Sequence, residues 1–152
     1  MASIGRTTKI TGDKLENLQS ESRSAEIRRW LSPPDPSTNF HKARLQHQKG
    51  TGQWLLEGDS YKRWKSDTKS FLWINGIPGC GKTILSSSVI AELMDSPASS
   101  NLVYFYFEFN DINKQSVGKA VRSLISQLYN KTQDHTVRKE VDALYSACQN
   151  GG

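Results

Sequence analysis

The sequence predicts an α/β fold in which the strands of a parallel sheet carry flanking helices, preceded by an N-terminal helical segment. Three observations lead there. An apolar run, Phe71 to Asn75, passes through the glycine-rich stretch GIPGCGKT into a helical pattern from Thr83 to Met94. A second run, LVYFYFEF from Leu102 to Phe109, alternates with period two. Two amphipathic helical patterns follow, and strand alternating with helix is how a parallel sheet is written in a sequence.

Each element has its own local reason. In DKLENLQSESRSAEIRRWL, the residues Leu15, Leu18, Ile27, Trp30 and Leu31 fall at helical spacing, interrupted around Ser20 to Ser24, so residues 1–32 read as a helical lead-in of one or two short helices. SPPDPSTN then holds three of the chain's five prolines, which stop a helix and favour an extended linker over 33–39. The basic stretch 40–70, with a Gly-Thr-Gly turn before an aromatic segment, fits small helices joined by loops. From residue 71 to 152 the strand and helix alternation takes over. Phe71 to Asn75 reads as a buried strand, and the helix from Thr83 ends before Pro97. Leu102 to Phe109 reads as a second strand, with Phe105, Phe107 and Phe109 turned to a core and Tyr104, Tyr106 and Glu108 on the other face. The closing helices run through Val117, Val121, Leu124, Ile125 and Leu128, and through Val137, Val141, Leu144, Tyr145 and Cys148.

A chain of 152 residues has room for one ordinary domain. Its formal charge of +5 suits an anionic ligand but is too dispersed for a dedicated nucleic-acid binder, since Glu57, Asp59 and Asp67 interrupt the basic stretch between Lys42 and Lys69. Two cysteines without metal or scaffold spacing, no signal peptide and no membrane-length apolar run point to a cytoplasmic protein without membrane contact. His41 and His47 lack the spacing of a helical metal pair, so no metal site is expected from them. Trp54, Trp64, Phe71 and Trp73 could frame a base but read better as core anchors.

The segment GIPGCGKT, Gly76 to Thr83, satisfies the spacing G-x-x-x-x-G-K-[ST]. Glycines at Gly76, Gly79 and Gly81 let backbone N–H groups, including those of Ile77, Pro78's neighbours and Cys80, turn toward phosphates without side-chain obstruction. Lys82 would reach the β and γ phosphates, Thr83 would offer its hydroxyl to Mg²⁺, and the helix N-terminus adds partial positive charge. A chance match in such a chain is about one in a few hundred, so nucleotide binding outweighs a turn that merely joins two elements. Cys80 could be redox-sensitive at a helix N-terminus but reads more simply as a small loop residue. Hydrolysis would also need a carboxylate at the end of a buried strand. Asp111 imitates one but reads better as a helix cap. NKTQD, from Asn130 to Asp134, misses the guanine motif Asn-Lys-x-Asp by one residue, which favours ATP over GTP.

The succession IRRWLSPPDPSTNFHKARLQHQKGTGQWLLEGDSYKRW, FLWINGIPGCGKTILSSSVI, YFYFEFNDINKQSVGKAVRSLISQL and VRKEVDALYSACQNG resembles the NACHT-type NTPase region of fungal STAND proteins, a nephrocystin-like N-terminal module. The resemblance covers the chain from about Ala25 onward. It implies an incomplete P-loop NTPase three-layer fold, truncated before the second acidic (Walker B) motif, because the strand that carries consecutive acidic residues in the family lies beyond the final helix. Its relatives look like NOD-like receptors, with an effector end, a nucleotide switch and a repeat array. It implies ATP or GTP with Mg²⁺ at residues 76–83, no hydrolysis by this segment alone, and a homo-oligomer or a related full-length receptor as partner. The alternative reading is a non-catalytic interaction module of the same origin.

Overall fold

The computed structural model describes residues 3–96, 99, 101–131 and 135–150. Its α-helices are α1 (Ser3–Leu31), α2 (Ser37–Gln46), α3 (Gln53–Leu56), α4 (Asp59–Ser66), α5 (Lys82–Met94), α6 (Val117–Lys131) and α7 (His135–Asn150), with a short 3-10 turn at Ile112–Lys114. The chain divides into two compact units, Met1–Pro34 with Phe109–Gly152, and Asp35–Glu108. Pro97 and residues 132–134 of the NKTQD stretch lie outside the described residues.

In the first unit the lead-in is one continuous helix of 29 residues rather than two short ones. Its C-terminal end is buried: Ile27 and Leu31 join Tyr129, Val141 and Tyr145 in a core flanked by Trp30 and Ile125, whereas Leu15 and Leu18 are exposed. Arg23 ties α1 to α7. Its guanidinium lies 4.4 Å from the centroid of the Tyr145 ring, donates to Ser146 Oγ at 2.7 Å and pairs with Asp142 at 3.5 Å. On α6 the buried stripe is Ala120, Ser123, Ser126 and Tyr129, while the expected Val117 and Val121 are exposed. Ser123 can be buried because its hydroxyl donates to Pro34 O at 3.0 Å. Asp111 caps the 3-10 turn by accepting from Asn113 N at 2.9 Å, the role the sequence favours for it.

In the second unit, the Asp35 carboxylate accepts from Ser37 N, Ser37 Oγ and Thr38 Oγ1, each at 2.9 Å, and so starts α2 directly after the prolines. Helix α2 buries Phe40 and Ala43, and α5 buries Leu85, Ser87, Ser88 and Ile90. The serines are tolerated because Ser87 Oγ and Ser88 Oγ both donate to Ile84 O, at 2.7 and 3.2 Å. The Gly-Thr-Gly turn packs on the same helix. Gly52 has φ +85°, and a Cβ there would stand 3.0 Å from Leu85 Cδ2. Further along α5, Glu92 accepts hydrogen bonds from Tyr61 Oη and Lys65 Nζ, which fastens α4 to α5.

The expected α/β, P-loop NTPase three-layer fold is corrected by this structure. The described residues are helical or irregular, with no strand and no sheet for helices to flank. Phe71 and Trp73 stack at 6.2 Å, and Phe105 and Phe107 meet at 5.1 Å, so residues two apart do share a face as in a strand. What is missing is the ladder, since residues 71–75 form no backbone hydrogen bonds among the described residues. The faces are also reversed. Tyr104 lies 5.6 Å from Phe40, and Asn39 Nδ2 donates to Glu108 Oε2 at 2.6 Å, so the tyrosine and glutamate face turns to α2. Phe107 and Phe109 are left 61% and 97% exposed.

Two outcomes test this packing. Burial pushes the Glu92 carboxyl up, but hydrogen bonds from Lys65 and Tyr61 and the Lys65 charge outweigh it and hold the group below its ordinary value of 4.5. Burial first, then the hydrogen bond to Glu92 and its charge, push the Tyr61 hydroxyl well above the usual tyrosine range, so it stays a donor. A carboxylate depressed in the folded state stabilises fully above its unfolded pKa, and that contribution fades as pH falls through the folded value. Because Glu92 and Lys65 are partly solvated, Glu92→Gln should cost about 1 kcal/mol at neutral pH. Urea unfolding of the two proteins should show the gap close in acid; a gap that persists at pH 3 would contradict the assignment. Gly52→Ala should cost about 1–2 kcal/mol through its left-handed backbone and the close Leu85 contact, read in the same assay, with Gly52→Asn milder if strain rather than space dominates.

Candidate phosphate-binding site

Residues 76–83 form an exposed loop that runs into the N-terminus of α5. Its path follows from its residue types. Cys80 N donates to Ile77 O at 3.3 Å, closing a four-residue turn with Pro78 second and Gly79, at φ +81°, third. That is the residue pattern of a type II turn, because proline fixes the first central φ and glycine accepts the positive second one. Gly76 lies close to a side chain: a Cβ there would stand 2.6 Å from Cys80 Sγ, so any other residue would make the exposed cysteine rotate away. Gly81, at φ +87°, is the residue before the helix and has no side chain with which to cap it. The first N–H groups of α5 therefore keep their hydrogen-bonding capacity and the positive end of the helix dipole at the loop.

Lys82 folds back over the turn. Its Nζ donates to Gly76 O at 2.8 Å and to Ile77 O at 2.9 Å, and lies 3.6 Å from Cys80 Sγ. An ammonium carries three donors, and the third meets only the Cys80 sulfur, a weak acceptor that an anion can displace. Thr83 is exposed on the first turn of α5, where its hydroxyl forms no hydrogen bond among the described residues. The eight expected residues, Gly76, Ile77, Pro78, Gly79, Cys80, Gly81, Lys82 and Thr83, thus make one continuous element with lysine, glycine backbone and helix end together. The site fits a phosphate group in its chemistry: a cation, free amide donors and no carboxylate within the loop.

Other residues considered for function are placed differently. Trp54, Phe71 and Trp73 are exposed rather than core anchors, while Trp64 lies 5.5 Å from Tyr61. His47 Nε2 is 2.9 Å from Thr51 O, and His41 stacks edge-on against Phe40 at 5.5 Å. Asp111 is occupied by its cap and by Lys114, 3.9 Å away. The return of Lys82 onto its own loop and the Tyr61, Lys65 and Glu92 tie were not read in the sequence. The first leaves no signal beyond the lysine spacing. The second could have been sought as a charge pair between two helical patterns, although nothing local fixes its register.

Comparisons with known proteins bear on the same residues. The nephrocystin 3, N-terminal family profile matches residues 50–151, from the Gly-Thr-Gly turn through the loop to the end of α7. Vegetative incompatibility protein HET-E-1 of Podospora anserina is 34% identical over 73 residues, which are 47% of this chain and 5% of that protein. The chain therefore spans only a small part of this relative. No solved structure matches the chain. Among the described residues no helix is long and apolar enough to cross a membrane. With most of its length matched, from the turn that packs on α5 to the last helix, the chain belongs to the nephrocystin 3 N-terminal family and is a NACHT-related N-terminal module.

Proposed function

We propose that this chain is the nucleotide-binding segment of a cytoplasmic NACHT/STAND-type signalling protein, holding Mg²⁺-ATP, or GTP, at residues 76–83. One observation carries the reading: the Lys82 ammonium, positioned by the Gly76 and Ile77 carbonyls at an uncapped helix N-terminus, with its third donor held only by the weak acceptor Cys80 Sγ. In this reading Lys82 meets the β and γ phosphates, the N–H groups after Gly79 surround them, and Thr83 Oγ1 supplies a ligand to Mg²⁺. The bound metal would neutralise phosphate charge. Nothing in the loop positions water, since Thr83 and Lys82 have no carboxylate partner there, and Asp111 is engaged in its cap. The segment would thus bind without turnover, and nucleotide would bias the assembly of a longer signalling chain.

A second reading, a non-catalytic interaction module, is favoured by the exposed rings of Phe71 and Trp73. It would pair the chain with a second copy or with a full-length relative, independently of nucleotide. Sedimentation with and without ATP separates the two.

Titration calorimetry with Mg²⁺-ATP should give saturable binding that Lys82→Ala weakens by about 10-fold or more, the loss expected for a charge-assisted contact. Gly81→Val should abolish it, because a β-branched residue resists the left-handed backbone. Unchanged affinity in a folded Lys82→Ala protein would remove this reading. A sensitive phosphate-release assay should find no turnover above the buffer rate. Asn caps about as well as Asp, so turnover that Asp111→Asn abolishes without unfolding would return Asp111 to a catalytic role.

A further inference from the structure

Between α1 and α7 lies a small open cavity of about 300 Å³, lined by Ser20, Glu21, Ser24, Ala25, Arg28 and Arg138. It belongs wholly to the unit formed by Met1–Pro34 and Phe109–Gly152. Ser20, Ser24 and Arg28 are spaced four apart and therefore rise along one face of α1. Arg138 closes the cavity from α7.

Both guanidinium groups are steadied by neutral partners rather than by acids. Arg28 Nη2 donates to Asn130 Oδ1 at 3.1 Å, and the Arg138 guanidinium sits 5.4 Å from the centroid of the Tyr129 ring. Among the described residues neither has a carboxylate within ion-pair distance, although Arg23 on the same helix has two, Glu26 and Asp142. The serines are equally uncommitted. Ser86, Ser87, Ser88 and Ser146 return their hydroxyls to carbonyls of their own helices, but Ser20 and Ser24 form no hydrogen bond among the described residues. The lining thus offers two forked cations and two free hydroxyl donors against one carboxylate, Glu21. A guanidinium fork matches the oxygens of a tetrahedral dianion, and hydroxyl donors complete its shell.

We propose that this cavity is a site for a phosphate-class oxyanion, inorganic phosphate or a small phosphate monoester, bridging Arg28 of α1 and Arg138 of α7. Its volume is at the low end of the roughly 300–1,000 Å³ typical of small-molecule pockets, which suits a phosphate with a small body and excludes a whole nucleotide. The site is separate from the loop at 76–83 and does not depend on the reading of that loop. Filling it would fasten α1 to α7 above the Arg23 tie and stabilise the unit by mass action.

The test uses the full chain carrying Lys82→Ala, so that the loop contributes nothing, titrated with inorganic phosphate at an ionic strength held constant with sodium chloride. The Arg28 and Arg138 side-chain N–H resonances should shift saturably and the unfolding midpoint should rise. Arg138→Gln should weaken the apparent affinity about 10-fold, with Arg138→Lys in between because the charge remains but the fork is lost. Should Arg138→Gln unfold the protein, Ser24→Ala replaces it and should weaken binding severalfold with the helix intact. Shifts that follow ionic strength alone, or equal saturation in wild type and the Arg138→Gln or Ser24→Ala protein, would overturn the proposal.

Discussion

Helix α5 is the constraint on which the 35–108 unit depends, because it must be held firmly along its length and left open at its start. Its middle is fixed by Leu85, Ser88 and Ile90, against which α2 and the Gly52 turn pack. Its far end is fixed by Glu92 through Tyr61 and Lys65. Its first turn has no capping side-chain hydrogen bond among the described residues. The separation has a physical cost and a reason. An uncapped N-terminus forgoes about 1 kcal/mol, and the packing of the next three turns can offset that, so the amide donors at the start stay available without loosening the helix.

The same logic explains how the loop was readable. Gly76, Gly79 and Gly81 each answer a separate demand, namely contact with Cys80 Sγ, the third position of a turn and a left-handed residue before a helix. The positive φ at Gly79 and Gly81 is met cheaply by glycine, so the spacing of those two in the sequence is a direct image of the backbone. The start and end of α5, the short helices on either side of Gly58 and the Asp111 cap were legible for similar reasons, since caps, breakers and turns act within a few residues.

The strands were not legible as they stand, because period-two alternation specifies a conformation and not a partner. Phe71 with Trp73 and Phe105 with Phe107 keep the side-by-side geometry that the alternation encodes. Whether such a segment joins a ladder is decided by what lies next to it in space. The buried face is the one that carries the Asn39 to Glu108 hydrogen bond and sets Tyr104 against Phe40. A count of apolar residues favours the phenylalanine face and therefore gives the wrong side. Helix α6 repeats the lesson: its apolar stripe suggested Val117 and Val121, but Ser123 could be buried instead because Pro34 supplies an acceptor.

Lys82 shows where packing ends and chemistry begins. Its contacts with the Gly76 and Ile77 carbonyls are made to neutral acceptors in an exposed loop, so each is worth about 1 kcal/mol or less net of water. That is enough to choose a rotamer among the many a lysine samples, whose freedom is worth about 2 kcal/mol, but too little to hold the ammonium against a multiply charged anion. In the proposed reading the carbonyls therefore act as a rest that aims the side chain. The entropy of ordering it is met before a phosphate arrives, and an arriving anion would displace the weak Cys80 sulfur contact first. A side chain of the same length without those carbonyls would carry the same charge but would have to be ordered on binding, which is why the glycine-bounded turn and the lysine that follows it work as one element.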